Sequence, residues 1–380
     1  MAAPSSSTEA VGKSLAMITA AVLPITYLAS GLKFEAKASL SAAIWAAYLG
    51  AVEVAHAPMP IHTVGAMMTS VFAFTLPLKA TEMLLFKSQR VDPEERKQRS
   101  LGYDILMHVG DFMWMLFPVY RPEPEERREP LGAVLYGLEC LASAFVKIIA
   151  MPLVVAKSHA LSTGGGAAAF SSSSSSSSWL STKSQLTLLF CANTLCGSAA
   201  NDVTSGLTSM LTLGRYECLA FNNYPFLSTS VRELWGKRYN RLINEFLKDS
   251  VYKPLRRKGF TRDAGSLMTF AMSGLLHVWV ARHTFRRGYV RTLVFFVIQM
   301  ALVKIQDKTR QRFPSMPRVL QVMETMGLFL PSLYIYGGLF VEAYPEWLEI
   351  NPVDTPAWAM PIVERAADAC SLNLLAVPLE

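Results

Sequence analysis

Charge is scarce in this chain. Asp, Glu, Lys and Arg make up 17% of its 380 residues, where an ordinary soluble domain carries about 25%. That shortage argues against the two or three soluble domains that the length would otherwise allow. Metal and disulfide frameworks are missing as well. The five cysteines, at 140, 191, 196, 218 and 370, show neither ligand spacing nor a paired pattern and read as small buried apolar residues. The histidines are scattered and lack carboxylate partners at metal-ligand spacing, so no metal site is expected. There is no GxSxG elbow, no Walker loop, no GxGxxG after a strand and no HExxH. A cleavable leader is not evident either: Lys13 is the only base ahead of the first apolar run, which is expected to stay as a span.

Apolar residues are abundant, at 51%, and they come in runs. About 18 to 20 of them in a row can cross a bilayer as a helix. Candidate spans fall at 15–32, 40–55, 61–86, 131–156, 186–200, 264–281, 289–303 and 319–341. A weaker one lies at 105–119, and 203–219 reads as a span or an interfacial helix. The expected fold is therefore all-α: a polytopic membrane helical bundle of about 8–10 transmembrane helices. Residues 1–10 are small and polar and are expected to be disordered, and 11–380 to form a single membrane-embedded domain. The stretch 162–178 holds three glycines, three alanines and eight consecutive serines and reads as a flexible loop.

The net charge of +7 reads as cytosolic loops and not as a nucleic-acid surface. Ten Lys/Arg face three acids between Arg232 and Arg262, five face one between Lys304 and Arg318, and four acids stand alone in 342–354. The positive-inside rule puts the 232–262 loop in the cytosol and the 342–354 loop on the other side. The charged stretches 87–99 and 121–130 mix both signs and vote weakly.

Two segments carry candidate chemistry. The loop 228–259 interleaves Trp235, Tyr239, Phe246 and Tyr252 with Arg232, Lys237, Arg238, Arg241, Arg256 and Arg257. Leu242, Ile243, Phe246 and Leu247 recur at helical spacing, which predicts a short amphipathic helix at the cytosolic face, ended by Lys253-Pro254. Its bases suit anionic lipid or the phosphates of a soluble anionic substrate. Asn240 is a neutral amide within this run and, taken alone, could be a helix cap. The second segment is the span 264–281, with His277 inside its apolar run, Ser273 one turn before it and Ala281 one turn after. Ionisable groups in membrane helices usually face a cavity or a partner. A neutral imidazole suits a general base, and the bland alternative is a packed histidine bonded to a neighbouring helix. The other histidines carry less: His56 and His62 sit beside prolines, His108 could pair with Asp111, and His283 reads as interfacial.

Together these segments resemble the membrane-bound O-acyltransferase family. Leu234-Trp235-Gly236-Lys237-Arg238-Tyr239-Asn240 looks like its Trp-rich, Asn-containing cytosolic motif, and Ser273-Gly274-Leu275-Leu276-His277 like its intramembrane histidine motif. Asn240 and His277 stand 37 residues apart, in the family order. Leu234 and Tyr239 replace the Phe and Trp common in the plant-type wax synthase branch, which the chain resembles in its motifs and length.

That resemblance implies transfer of an acyl group from acyl-CoA to a long-chain fatty alcohol within an internal tunnel. His277 would be the general base, Asn240 its catalytic partner, and Ser273 a neighbour of the histidine. Trp235, Lys237, Arg238, Arg241, Tyr252 and Lys253 would bind acyl-CoA. No cofactor beyond that co-substrate is implied. Its partners would be acyl-CoA, a lipid alcohol and membrane lipids, in the endoplasmic reticulum membrane. Sterol or diacylglycerol acceptors remain alternatives. A transporter with His277 in a proton path is the alternative of another class.

Overall fold

The computed structural model describes residues 5–55, 64–87, 100–114, 118–169 and 175–342, with positions 361 and 365. His56, His62 and Cys370, the charged stretch 88–99 and the acidic stretch 343–354 lie outside the described residues. The chain is an all-α, multi-pass membrane protein. Among the described residues, five helical stretches are long and apolar enough to cross a membrane: Ala10–Gly31, Pro130–Val154, Arg262–Thr284, Tyr289–Arg312 and Arg318–Phe340. Helix is the expected form there, because in hydrocarbon every backbone N–H and C=O must be satisfied within its own segment.

The chain divides into two compact units. Unit 1 comprises Met1–Phe117 and Ile243–Met300. It begins with α1 (Ser5–Leu28), α2 (Phe34–Ala55), α3 (Val64–Glu82) and α4 (Leu101–Met113). At 13 residues, α4 is about 20 Å long, short of a hydrocarbon core of about 30 Å, although a span was expected there. Ser100 caps it, accepting from the Tyr103 N–H at 3.3 Å. His108 Nε2 lies 3.0 Å from the Thr26 hydroxyl on α1. Tyr48, Ala73, Leu84, Phe112 and Phe246 sit in one shared apolar core.

A charged group lies inside this unit. Lys79 Nζ is 2.8 Å from Glu82 Oε2, and Ser250 donates to the same oxygen at 2.9 Å. Glu82 is 1% exposed, Ser250 5% and Lys79 6%. Buried charges need partners of this kind.

The segment 241–257 departs from expectation. Helix α8 (Arg241–Leu247) leads into a π-helical turn, Lys248–Tyr252, and then into α9 (Lys253–Arg257). Ile243, Phe246, Leu247, Val251 and Leu255 pack into the unit 1 core. The apolar face expected to lie on the membrane is thus turned into protein. Pro254 does not end the helix. It occupies the first turn of α9, where a missing N–H costs nothing.

Unit 2 comprises Pro118–Leu242 and Ala301–Glu380. Its frame is the pair α5 (Pro130–Ala169) and α6 (Ser175–Thr212). Glycines bring the two close: a Cβ on Gly206 would lie 2.8 Å from the Gly137 carbonyl oxygen. Ser209 donates to the Ala133 carbonyl at 3.0 Å, and Lys147 pairs with Asp202. Residues 203–212, read from sequence as part of a separate element, continue α6. Helical backbone also enters the Gly/Ala/Ser stretch from both ends, to Ala169 and from Ser175. Alanine, the best helix former, supports the first of these extensions. A two-stranded ribbon pairs β1 (Val119–Tyr120) with β2 (Glu217–Cys218). Burial, and then the adjacent Glu217 carboxylate, pushes the Tyr120 hydroxyl above its ordinary pKa.

The remaining helices are α7 (Val231–Glu233), α10 (Arg262–Thr284), α11 (Tyr289–Arg312) and α12 (Arg318–Glu342). Helix α10 belongs to unit 1 and α12 to unit 2, whereas α11 contributes to both.

Candidate active site

In unit 1 the histidine span is α10, opened by Thr261, which caps the Ala264 N–H at 3.2 Å. His277 is half-buried on it. Its Nδ1 lies 2.7 Å from the Ser273 carbonyl oxygen, one turn back. A carbonyl only accepts, so Nδ1 carries the hydrogen and the neutral ring holds its lone pair on Nε2. That is the form a general base requires. The ring lies against Phe296 of α11, with centroids 4.1 Å apart and planes inclined by 31°.

Gly274 explains this closeness. A Cβ there would lie 2.8 Å from Leu293 Cδ1 and 3.2 Å from Phe296 Cβ. The Ser-Gly-Leu-Leu-His run is therefore a packing device as well as a carrier of the histidine. Ser273 contributes its carbonyl.

Further along the same helix, His283 is 6% exposed and packs on Trp279, with ring centroids 4.2 Å apart. The sequence reading placed it at the membrane interface, but it is buried. Its Nε2 lies 3.8 Å from Glu53 Oε1, the oxygen with which Arg282 pairs at 2.9 Å.

Tyr252 and Lys253 also belong to unit 1. A Cβ on Gly265 would come within 3.1 Å of the Tyr252 ring, so this tyrosine seats the π-helical turn on α10. Lys253 pairs with Asp249. Exposed bases follow at Arg256, Arg257, Lys258 and Arg262.

In unit 2 the Trp-containing segment is fastened at several points. Ser230 caps α7, accepting the Glu233 N–H at 3.0 Å, and Glu233 reaches back to the Thr229 N–H at 2.7 Å and hydroxyl at 2.6 Å. This is close to a reciprocal capping box. Gln306, 2% exposed, accepts the Val231 N–H at 2.7 Å and donates to Thr325 at 2.9 Å. Arg310 donates to the Thr229 carbonyl at 2.7 Å and pairs with Glu324 at 2.9 Å.

A π-helical turn, Leu234–Arg238, follows. It sets Trp235 and Tyr239 edge to face at 5.5 Å, with Trp235 5.8 Å from Phe329 and Tyr239 5.1 Å from Phe190. These two aromatics are anchors in the protein. Arg238 is held too, by Glu233 at 2.7 Å and the Asn223 carbonyl at 3.1 Å. Burial alone would raise the Glu233 carboxyl, but the Thr229 hydroxyl and N–H, with Arg238, outweigh it and hold it below its ordinary pKa. Arg241 reaches the Ala220 carbonyl at 3.5 Å. Gly236 and Lys237 are exposed at the tip.

Asn240 joins this turn to α8 with a left-handed backbone, φ 43°, a conformation that costs energy but that asparagine tolerates better than most residues. A helix cap would be extended there, so Asn240 is no ordinary cap. Three hydrogen bonds to residues 221–223 hold it. Asn223 N–H reaches the Arg238 carbonyl at 2.7 Å, Asn240 N–H the Asn222 side-chain oxygen at 2.9 Å, and Arg241 N–H the Phe221 carbonyl at 2.8 Å. Asn201 on α6 fixes that segment in turn, accepting from the Phe221 N–H at 3.0 Å and donating to the Leu219 carbonyl at 3.1 Å.

Unit 2 thus gathers Trp235, Lys237, Arg238, Asn240 and Arg241, and unit 1 gathers Tyr252, Lys253, Ser273 and His277. Sequence reasoning missed Asn201, Asn222, Glu233 and Phe296. The signal in reach was the Asn222-Asn223 pair ahead of the Trp segment.

The membrane bound O-acyl transferase family model matches residues 219–298, a stretch holding every residue just named except Asn201. A probable long-chain-alcohol O-fatty-acyltransferase 9 from Arabidopsis thaliana is 37% identical over 62 residues, 14% of this chain and 18% of its own. The long-chain-alcohol O-fatty-acyltransferase of Simmondsia chinensis is 30% identical over 172 residues, 40% of this chain and 48% of its own. An acyl-CoA–sterol O-acyltransferase 1 from Arabidopsis thaliana is 25% identical over 159 residues, 38% of this chain and 41% of its own. The chain spans less than half the length of these curated relatives. Over residues 219–298 the chain is similar to the membrane bound O-acyl transferase family.

Proposed function

We propose that this protein is an acyl-CoA-dependent O-acyltransferase of the endoplasmic reticulum membrane that esterifies a long-chain fatty alcohol. The observation that carries this reading is the His277 ring, turned by the Ser273 carbonyl at 2.7 Å so that Nε2 bears the lone pair. Nε2 takes the proton of the alcohol as its oxygen attacks the thioester carbonyl carbon. The C–O bond forms, the C–S bond breaks, and the departing CoA sulfur receives the proton from the imidazolium. General-base help of this kind is worth about 10²–10⁴-fold. Asn240 is the second catalytic candidate, as a donor to the developing oxyanion, a contribution of about 10²–10³-fold. The exposed Lys237 is available to the CoA phosphates from the cytosolic side, with Arg238 and Arg241 following it in unit 2; Lys253, in unit 1, is a further candidate contact. Tyr252 and Trp235 shape the segment that carries them.

The alcohol acceptor is favoured by the names of the relatives and by the Trp-Gly-Lys-Arg run. A sterol acceptor is the second reading, favoured by the sterol acyltransferase among the relatives. The test is to supply the purified protein with labelled palmitoyl-CoA and a panel of fatty alcohols, sterols and diacylglycerol. Ester from the fatty alcohol, lost in His277→Ala, is the expected result. No ester from any acceptor, or full activity in His277→Ala, would sink the reading.

A further inference from the structure

The side chain of Asn222 has one end in use and one end idle. Its Oδ1 accepts the Asn240 N–H at 2.9 Å. A backbone N–H only donates, so the oxygen is the atom facing Asn240 and the amide orientation is fixed. The Nδ2 end is shielded from solvent, and among the described residues no acceptor lies within hydrogen-bonding distance. Native proteins pair their buried donors, and a lone one calls for an explanation. Here the donor stands beside a residue with a left-handed backbone, φ 43°. Both are held by a segment that Asn201 clamps at Leu219 and Phe221. Such rigidity suits a donor that must wait in place for its acceptor.

We infer that Asn222 is a substrate-binding residue whose Nδ2 donates a hydrogen bond to a carbonyl oxygen of the acyl donor, a ligand with one thioester and two amide carbonyls. Asn222 and Asn240 then act as a coupled pair: the oxygen of the first sets the backbone of the second, and the nitrogen of the first meets the substrate. This rests on the acyl-CoA reading above.

Asn222→Asp separates the two ends. It keeps the acceptor for the Asn240 N–H and replaces the donor with a second acceptor. The probe is 2-oxoheptadecyl-CoA, which retains carbonyls but cannot transfer an acyl group, with the full chain in detergent micelles. Asn222→Asp is expected to bind it about tenfold or more weakly than wild type at an unchanged melting temperature. Asn222→Ala, which loses both ends, is expected to bind weakly and melt lower. Wild-type binding and melting in Asn222→Asp would overturn the inference while leaving the acyl-CoA reading intact. No binding to wild type would overturn both. If Asn222→Asp does not fold, hydrogen exchange of residues 219–224 in wild type decides: slowing by the analogue supports the inference, and no change sinks it.

Discussion

The carbonyl oxygen of Ser273 lies 2.7 Å from Nδ1 of His277 and fixes which nitrogen of the ring bears the lone pair. A backbone group performs this task, so no substitution at 273 that keeps the helix should abolish it. Ser273→Ala is expected to retain ester synthesis within about tenfold, whereas His277→Ala is expected to lose about 10²–10⁴-fold. Both rates come from one radiochemical assay. A Ser273→Ala variant as inactive as His277→Ala would show that the hydroxyl does the work.

Gly274 keeps α10 and α11 in contact, with Leu293 Cδ1 2.8 Å from the place a Cβ would take. Gly274→Ala is expected to destabilise by about 1–3 kcal/mol through overpacking and to slow turnover by moving Phe296 on the His277 ring. Gly327→Ala on α12, where nothing lies within 4 Å of the new carbon, is the control. It is expected to be neutral or stabilising by about 0.5–1 kcal/mol. Thermal melting in detergent reads both.

The group Lys79, Glu82 and Ser250 is buried, so removing one charge strands the other. Glu82→Ala is expected to cost about 3–5 kcal/mol, and the double variant Lys79→Met, Glu82→Leu to recover most of it. Equal melting temperatures for wild type and Glu82→Ala would contradict this.

Glu233 gives a pH dependence. Its folded pKa is depressed, so its contribution is complete above the ordinary glutamate value of about 4.3 and fades as pH falls through the lower folded value. The melting temperature of Glu233→Gln should lie below that of wild type at pH 7, and the gap should close in strongly acidic buffer. A constant gap would refute the assignment.

Much of the fold could be read in advance. The spans expected at 264–281, 289–303 and 319–341 appear as Arg262–Thr284, Tyr289–Arg312 and Arg318–Glu342, because long apolar runs leave the backbone few other solutions. Asn240 and His277 were nameable from residue type and context. Asn222 was not: it meets Asn240 through a side chain reaching across a turn, and no periodicity records such a contact. The facing of Phe246 and Leu247 was misread for a related reason. Amphipathic spacing identifies an apolar face but does not say whether lipid or protein covers it. The bases expected to meet acyl-CoA were legible as a cluster, but the ion pairs that occupy Arg238 and Lys253 depend on partners set by folding.

The π-helical turns at Leu234–Arg238 and Lys248–Tyr252 each hold one residue more than an α-helical path needs. One residue is about 100° of helical rotation. A chain shortened by a single residue within 248–252 could relax into uninterrupted α-helix with Lys253–Arg257 left in place, whereas a regular α-helix carrying the surplus residue would swing that stretch by about that angle. The two turns keep the reading frame of this surface, in the mechanical sense, by absorbing a surplus residue each. A single-residue deletion there should prove milder than one in the α-helical turns on either side.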